Sequence, residues 1–235
     1  MTNIHFDRET YFNAVRQPLF GGSMTEGQVI GQEAILLQWE TAPLSNDLRH
    51  LAYALATTKH ETANEMLPIE EYGRGKGMPY GVEDPPGSGN VFYGRGYVQL
   101  TWANNYQNAT DELELVGAND LYEYPDRALD PQIAADVMFR GMMEGWFRPP
   151  NSLPKFFSDV ADDTYGAREI INGDKHIIPS WSNGVSIGKL IAGYHDDFFT
   201  ALVKSSGTAI PTTEIVIKVQ SGKVVSITID GASAL

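Results

Sequence analysis

Four glutamates and a histidine crowd into the fourteen residues "TKHETANEMLPIEE" (58–71), and a glycine- and aromatic-rich run, "FYGRGYVQLTW" (92–102), follows close behind. Three chemistries compete for the first stretch: a metal site, a pair of acid/base carboxylates, or a solvated helix face. His60-Glu61 begins like H-E-x-x-H, which sets two zinc-binding histidines on one helix face, but Asn64 stands where the second histidine belongs. His5, His50, His176 and His195 are scattered along the chain, so a zinc site is not expected. On a 3.6-residue period Leu51, Ala54, Leu55, Thr58 and Thr62 share one stripe, with Glu61 at its edge, Glu65 near its centre and His60 facing away. A carboxyl at the rim of an apolar stripe is partly desolvated, and desolvation favours the protonated form that a general acid needs. Periodicity leaves Glu61 and Glu65 equally placed for that role. A second carboxylate would come from Glu70 or Glu71, beyond Pro68 and outside the helix, where it could face the first across a cleft.

These residues need elements to hold them. Helical patterning dominates. Ser23-Met24-Thr25-Glu26 has the S-x-x-E form of a capping box ahead of Val29, Ile30, Ile35, Leu36 and Leu37. A helix is predicted from near Ser45 through "DLRHLAYALATTKHETANE", ended by Pro68. Residues 72–91 hold six glycines and three prolines, the composition of a cleft-lining loop. Further helices are predicted in "WANNYQNATDELELV" and in "PQIAADVMFRGMMEGWF", with Pro131 in its first turn and Pro149-Pro150 as its stop. Two more are predicted near 159–171 and 185–204. After Ser205 the pattern changes to period two: Ile215, Ile217 and Val219, then Val225, Ile227 and Ile229, with Ser221-Gly222 as the turn of a hairpin. The chain is thus predicted to be mainly α, with a body over 1–205 and a strand-rich tail over 206–235. A lone hairpin is marginal in water, so it is expected to dock on the body or to serve a partner or self-association.

Composition narrows the function classes. Of 235 residues 42% are hydrophobic, enough for a sizeable core, and 17 basic against 30 acidic residues give a formal charge of −13. That charge argues against a nucleic-acid partner, which requires cations to displace counterions, and against a polybasic membrane anchor. No cysteine is present, which removes disulfides and thiolate chemistry. The N-terminus shows no signal-peptide pattern and no apolar run is long enough to span a bilayer, so a protein made in the cytoplasm without membrane insertion is expected.

Taken in order, "KHET", "PIEE", "FYGRGYVQLTWANNY" and "REIINGD" resemble glycoside hydrolase family 19, which contains plant chitinases and many phage or prophage endolysins. The wording of the Y-G-R-G-x-x-Q-L-T block, and the opening "LFGGSMTEGQVIGQEAILLQWE", are more similar to the endolysin branch. The resemblance spans roughly residues 10–200. It implies a lysozyme-like helical fold with a deep substrate cleft, no metal or cofactor, and inverting hydrolysis of β-1,4 glycosidic bonds. It implies Glu61 as general acid, Glu70 as general base with Glu71 beside it, and Thr101 as holder of the attacking water. Inverting glycosidases keep their carboxyls roughly 6.5–9.5 Å apart, leaving room for that water. Gln99, Asn105 and Asn172 match cleft-lining, substrate-contacting residues, and Tyr93, Tyr97 and Trp102 could stack on sugar faces or belong to the core. Thr101 could equally cap the helix that follows it, and Asn172 could be a turn residue. Arg95 is expected to anchor its loop, Arg168 to pair with a cleft glutamate, and His60 to support Glu61 by hydrogen bonding. The resemblance further implies bacterial peptidoglycan as substrate, with a chitin-like GlcNAc polymer as the alternative. An endolysin would wait in the host cytoplasm until released to the cell wall. From a different class comes the alternative of a non-catalytic wall-binding or virion module.

Overall fold

The computed structural model describes residues 4–207, 215–220 and 223–229. In chain order its elements are β1 (His5–Phe6), α1 (Arg8–Phe20), α2 (Glu26–Thr41), α3 (Leu48–Glu61), β2 (Ile69–Glu70), β3 (Arg95–Gly96) and α4 (Ala103–Glu112). Then follow α5 (Pro131–Glu144), α6 (Leu153–Phe156), β4 (Phe157–Ser158), β5 (Ala161–Asp162), α7 (Ile187–Ser205), β6 (Ser206–Gly207), β7 (Ile215–Gln220) and β8 (Lys223–Ile229). The mainly α expectation holds, and no described helix is long and apolar enough to cross a membrane.

The centre of the body is α3. Every residue from His50 to Lys59 is buried, because the run "HLAYALATTK" sets small alanines and threonines between larger apolar residues and lets neighbours approach from several sides. Helix α7 packs along it, and α1 packs on α7 in turn. Tyr53, Leu51, Leu55, Ile191, Phe198 and Leu202 are fully enclosed in this main cluster. Fully burying a leucine of this kind contributes about 1.5–3 kcal/mol. A second, smaller cluster gathers Phe92, Leu100, Tyr106, Leu121 and Val137 around α4 and the start of α5. The side chain of Phe147 packs against both.

Several boundaries differ from those predicted. The cap of α2 is Thr25, two residues after Ser23: Gln28 N–H donates to Thr25 Oγ1 at 3.1 Å and the Gln28 side chain accepts from Thr25 N–H at 2.9 Å. The pattern was right and its register was shifted, since Thr25 and Gln28 form the same kind of box. Helix α3 does not run on to Pro68. Thr62 Oγ1 donates to Thr58 O at 2.8 Å and accepts from Met66 N–H at 2.9 Å, closing the helix from a side chain. Ala63, Asn64 and Met66 then take left-handed φ values of 49°, 75° and 59°. Helix α5 ends before the prolines, at Gly145 in the left-handed region. The helix predicted over 159–171 is absent: β4 and β5 pair across a tight turn, and a 3-10 turn (Gly166–Ile170) follows. Asp163 starts that turn by accepting from Gly166 N–H at 2.7 Å, a local bond that competes with helix formation upstream. In the tail, β7 and β8 form the predicted hairpin, with Ile215 opposite Ile229 and Ile217 opposite Ile227. A register shift after Lys218 sets Val224, in place of Val225, across from Val219. The turn residues 221–222 lie outside the described residues.

Candidate active site

A cleft of about 430 Å³ opens between the two clusters. Glu61, Gln99, Thr101, Trp102, Asn105 and Asn172 line it, joined by Tyr80, Val98, Phe147 and Ile171. Six of the eight residues selected from the sequence for catalysis or substrate contact are therefore brought together. Glu70 and Tyr93 are not among the lining residues, and neither is Glu71.

Glu61 is the last residue of α3, so the most enclosed helix in the protein delivers it to the cleft, with its side chain 16% exposed. Arg168, 2% exposed, donates from Nη1 to Glu61 and from Nε and Nη2 to Asp174 at 2.6 and 3.0 Å. Burial alone would push Arg168 down, but Asp174 and Glu61 outweigh it and hold the guanidinium charged. Burial likewise pushes Asp174 up, and Arg168 reverses this to keep the carboxyl below its ordinary value of 3.8. The expected pairing of Arg168 with a cleft glutamate is thus present. Glu65 is exposed in the left-handed turn beyond the helix, which separates it from the Glu61 role that periodicity had left open. The His60 side chain makes no hydrogen bond among the described residues, contrary to the supporting role expected of it, and burial pushes its pKa down.

The turn behind Glu61 is held from outside α3. Gln28 Nε2 donates to Asn64 O at 2.9 Å, and Lys59 donates to Asn64 Oδ1. Gly31 on α2 admits Met66 O so closely that a Cβ there would lie 1.6 Å from that oxygen.

The opposite wall is the Y-G-R-G-Y-V-Q-L-T segment, folded into a tight hairpin in which Arg95 and Leu100 exchange backbone hydrogen bonds of 3.1 and 2.8 Å. Gly96 turns the chain at φ 89°. Gly94 leaves room for function-bearing side chains: a Cβ there would come within 2.9 Å of Gln99 Oε1 and 3.3 Å of Thr101 Oγ1. Arg95, 4% exposed, anchors the segment as expected, donating to Val91 O and the Tyr106 hydroxyl and pairing with Asp126. Thr101 does not cap α4 with its side chain; its hydroxyl donates to Gln99 O at 2.8 Å. That leaves Oγ1 able to accept from a water. Gln99 Nε2 points at Ile69 O and Gly96 O, and Asn105 Nδ2 at Thr101 O. Their amide oxygens have no protein donor among the described residues, so each can accept from a sugar hydroxyl or an N-acetyl N–H. Asn172 is both things the sequence suggested, lining the cleft while its Oδ1 accepts from Gly173 N–H and its Nδ2 donates to Asp174. Trp102, 48% exposed, stands at the lip with Tyr80 edge-on to it at 5.1 Å.

Glu70, the last residue of β2, and Glu71 just after it make separate sets of hydrogen bonds. Glu70 accepts from the Tyr93 hydroxyl and from Arg74, each at 2.6 Å. Tyr93 does most to hold the Glu70 carboxyl below its ordinary value, with Arg74 adding to it against the upward push of burial. Tyr93 lies under the Arg95 guanidinium, 3.6 Å from its ring centre, and so faces away from the cleft lining. Glu71 accepts from Tyr80 O–H and from Gly94 N–H, both at 3.2 Å. Both donors adjoin the cleft: Tyr80 is part of its wall, and Gly94 abuts the Thr101 hydroxyl. Tyr80 and Asp174 were not singled out from sequence. Tyr80 sits in the glycine-proline loop, which carries no periodic signal, whereas the adjacency of Asp174 to "REIIN" was visible. Among the described residues no group of three or more acidic or histidine side chains could hold a metal ion.

No family model matches the chain, and no curated protein does. Among solved structures it is similar to chitinase C from Streptomyces griseus HUT6037, at 18% identity and a TM-score of 0.54 over 86% of this chain and 78% of that one. A bacterial family 19 chitinase is similar at 20% identity and a TM-score of 0.50, over 84% of this chain and 94% of that one. These likenesses establish a shared lysozyme-like helical fold.

Proposed function

We propose that the chain is a glycoside hydrolase of the family 19 type, an endolysin that cuts β-1,4 bonds of bacterial peptidoglycan by inverting acid/base catalysis. The observation that carries this reading is the cleft itself, in which a mostly buried carboxyl, Glu61, faces Thr101, Gln99, Asn105 and Asn172. Glu61 protonates the departing glycosidic oxygen, and Arg168 fixes its position. The attacking water donates one hydrogen to Thr101 Oγ1, whose own proton is committed to Gln99 O, and the other to the base carboxylate. Its lone pair is then directed at the sugar. The sequence resemblance nominates Glu70 as base. The hydrogen bonds of Glu71 to Tyr80 and Gly94 favour Glu71, with Glu70 holding the segment through Tyr93 and Arg74. Trp102 and Tyr80 offer faces for sugar stacking. Carboxylates and a hydroxyl suffice for this reaction, so activity should survive chelation by EDTA. In an infected cell the enzyme would wait in the cytoplasm for a separate pore-former to give it access to the wall.

Zymography on purified cell wall tests the assignment. Glu61→Gln should leave no more than about 10⁻³ of the activity of the parent chain, and full activity in that variant refutes the acid role. A chitinase acting on GlcNAc polymers is the second reading, favoured by the activity named for both structural neighbours. Mass spectrometry of the products decides between them, since muropeptides carry lactyl ethers and peptides. Wall binding without release of reducing sugar would mark a non-catalytic module.

A further inference from the structure

One wall of the cleft ends in cations with unused hydrogen-bond donors. Phe147, Ile171 and Asn172 line the cleft, and the residues next to them, Arg148 and Gly173, lie against each other. A Cβ on Gly173 would fall 2.9 Å from both Nη1 and Nη2 of Arg148, so the guanidinium lies over the bare backbone of a residue adjoining the cleft. Arg148 Nη1 donates to Glu169 Oε2 at 2.7 Å, while Lys175 Nζ reaches the other oxygen of the same carboxylate at 3.3 Å. Two cations thus share one anion. The Arg148 side chain, 41% exposed, makes no other hydrogen bond among the described residues, which leaves Nε and Nη2 as free donors. Lys175 retains two free N–H donors in the same way. The two cations exceed their one anion by a single charge, which the adjoining trio of Arg168 with Glu61 and Asp174 offsets, so this rim offers unused N–H donors rather than a net positive field.

We infer that Arg148 and Lys175 form an anion-recognition edge that takes a carboxylate of the peptide attached to a wall glycan, selecting carboxylate-bearing strands over neutral ones. The inference rests on the glycosidase reading above and deepens it by naming the substrate class. Unsubstituted GlcNAc polymers have no carboxylate to offer, whereas the peptide of a substituted strand carries free carboxylates along its length and at its C-terminus. An arginine fork with an unused edge matches a carboxylate in geometry as well as charge. Glu169 acts as a built-in competitor, keeping the two cations placed while leaving them incompletely neutralised.

The test compares the full chain with Arg148→Gln/Lys175→Gln and with Glu169→Gln on two soluble glycans: peptide-bearing wall oligomers, and the same oligomers with their peptide carboxylates converted to methylamides. The readout is the ratio of kcat/KM on the first to that on the second. The double variant should lower this ratio about fivefold, chiefly through KM on the substrate with free carboxylates, as the loss of two partly exposed charge contacts is expected to do. Glu169→Gln should raise it, because both cations are then released to the substrate. A purely structural role for the cluster would depress both substrates together in all variants, and an unchanged ratio in the double variant overturns the inference. If the parent chain cleaves both oligomers yet the ratio never moves, this edge alone is refuted. If the parent chain cleaves neither, the wall-glycosidase reading falls and takes the inference with it.

Discussion

Asp174→Asn probes the buried cation behind the proposed acid. Asp174 receives two charge-assisted hydrogen bonds from Arg168, at 2.6 and 3.0 Å, each contributing about 1.5–3 kcal/mol where the pair is desolvated. Arg168 is 2% exposed and Asp174 22%, so the acceptor is partly screened; asparagine also keeps one acceptor oxygen. The expected loss is therefore about 2–3 kcal/mol, below the range for breaking a fully buried pair. For a chain of 235 residues that corresponds to a fall in Tm of roughly 5–10 °C. Because Arg168 holds Asp174 below its ordinary value of 3.8, this stabilisation is fully present above that pH and is lost as the pH falls through the lower, folded value. Urea unfolding followed by circular dichroism at pH 7, and then stepwise down to pH 3, should show a stability gap between parent and variant that narrows below pH 3.8. A gap that persists undiminished at the acid end would mean that shape rather than charge is at stake. No gap at pH 7 would refute the reasoning altogether.

Three further outcomes are expected. Glu71→Gln should lower kcat on the order of 10³-fold and Glu70→Gln by far less; Tyr93→Phe, which releases Glu70 upward, should leave the acid limb of the kcat/KM profile in place, and a limb that moves to higher pH restores Glu70 as base. Burial pushes Lys59 from 10.5 down to about 8, so the unfolded chain binds the extra proton between those values and the parent should gain stability over Lys59→Ala as pH rises from 8 to 10.5, by at most about 3 kcal/mol, measured by denaturant titration. Gly31→Ala must displace Met66 O and with it the turn behind Glu61; a loss of at least about 2 kcal/mol in urea, accompanied by a fall in activity, is expected, and a neutral result would contradict the closeness of that contact.

Much of this was legible in the chain because periodicity and short-range bonding agree. α3 was found from its apolar stripe, α5 from helical texture bounded by prolines, and the tail hairpin from its alternation. Failures occurred where side chains compete with the backbone. Thr62 ends α3 early, removing Glu65 from the stripe on which period alone had placed it, and Asp163 starts a 3-10 turn where a helix was predicted. Asn172 could be read as turn residue or cleft residue, and it is both. Choosing between Glu70 and Glu71 depends on Tyr80 and Gly94, nine and twenty-three residues from Glu71. That is a tertiary relation, and no local spacing encodes it.

The bond between Arg168 and Glu61 joins residues 107 positions apart. During synthesis, a ribosome that has completed α3 has made the acid but not the cation that holds it, and Asp174 comes later still. Glu61 gains its fixed place only when the segment around Gly166–Ile170 folds back on the end of α3. For an enzyme proposed to destroy its host's wall, this means that a chain truncated before Arg168 holds the acid without its cation, whereas one truncated beyond Asp174 keeps the whole trio.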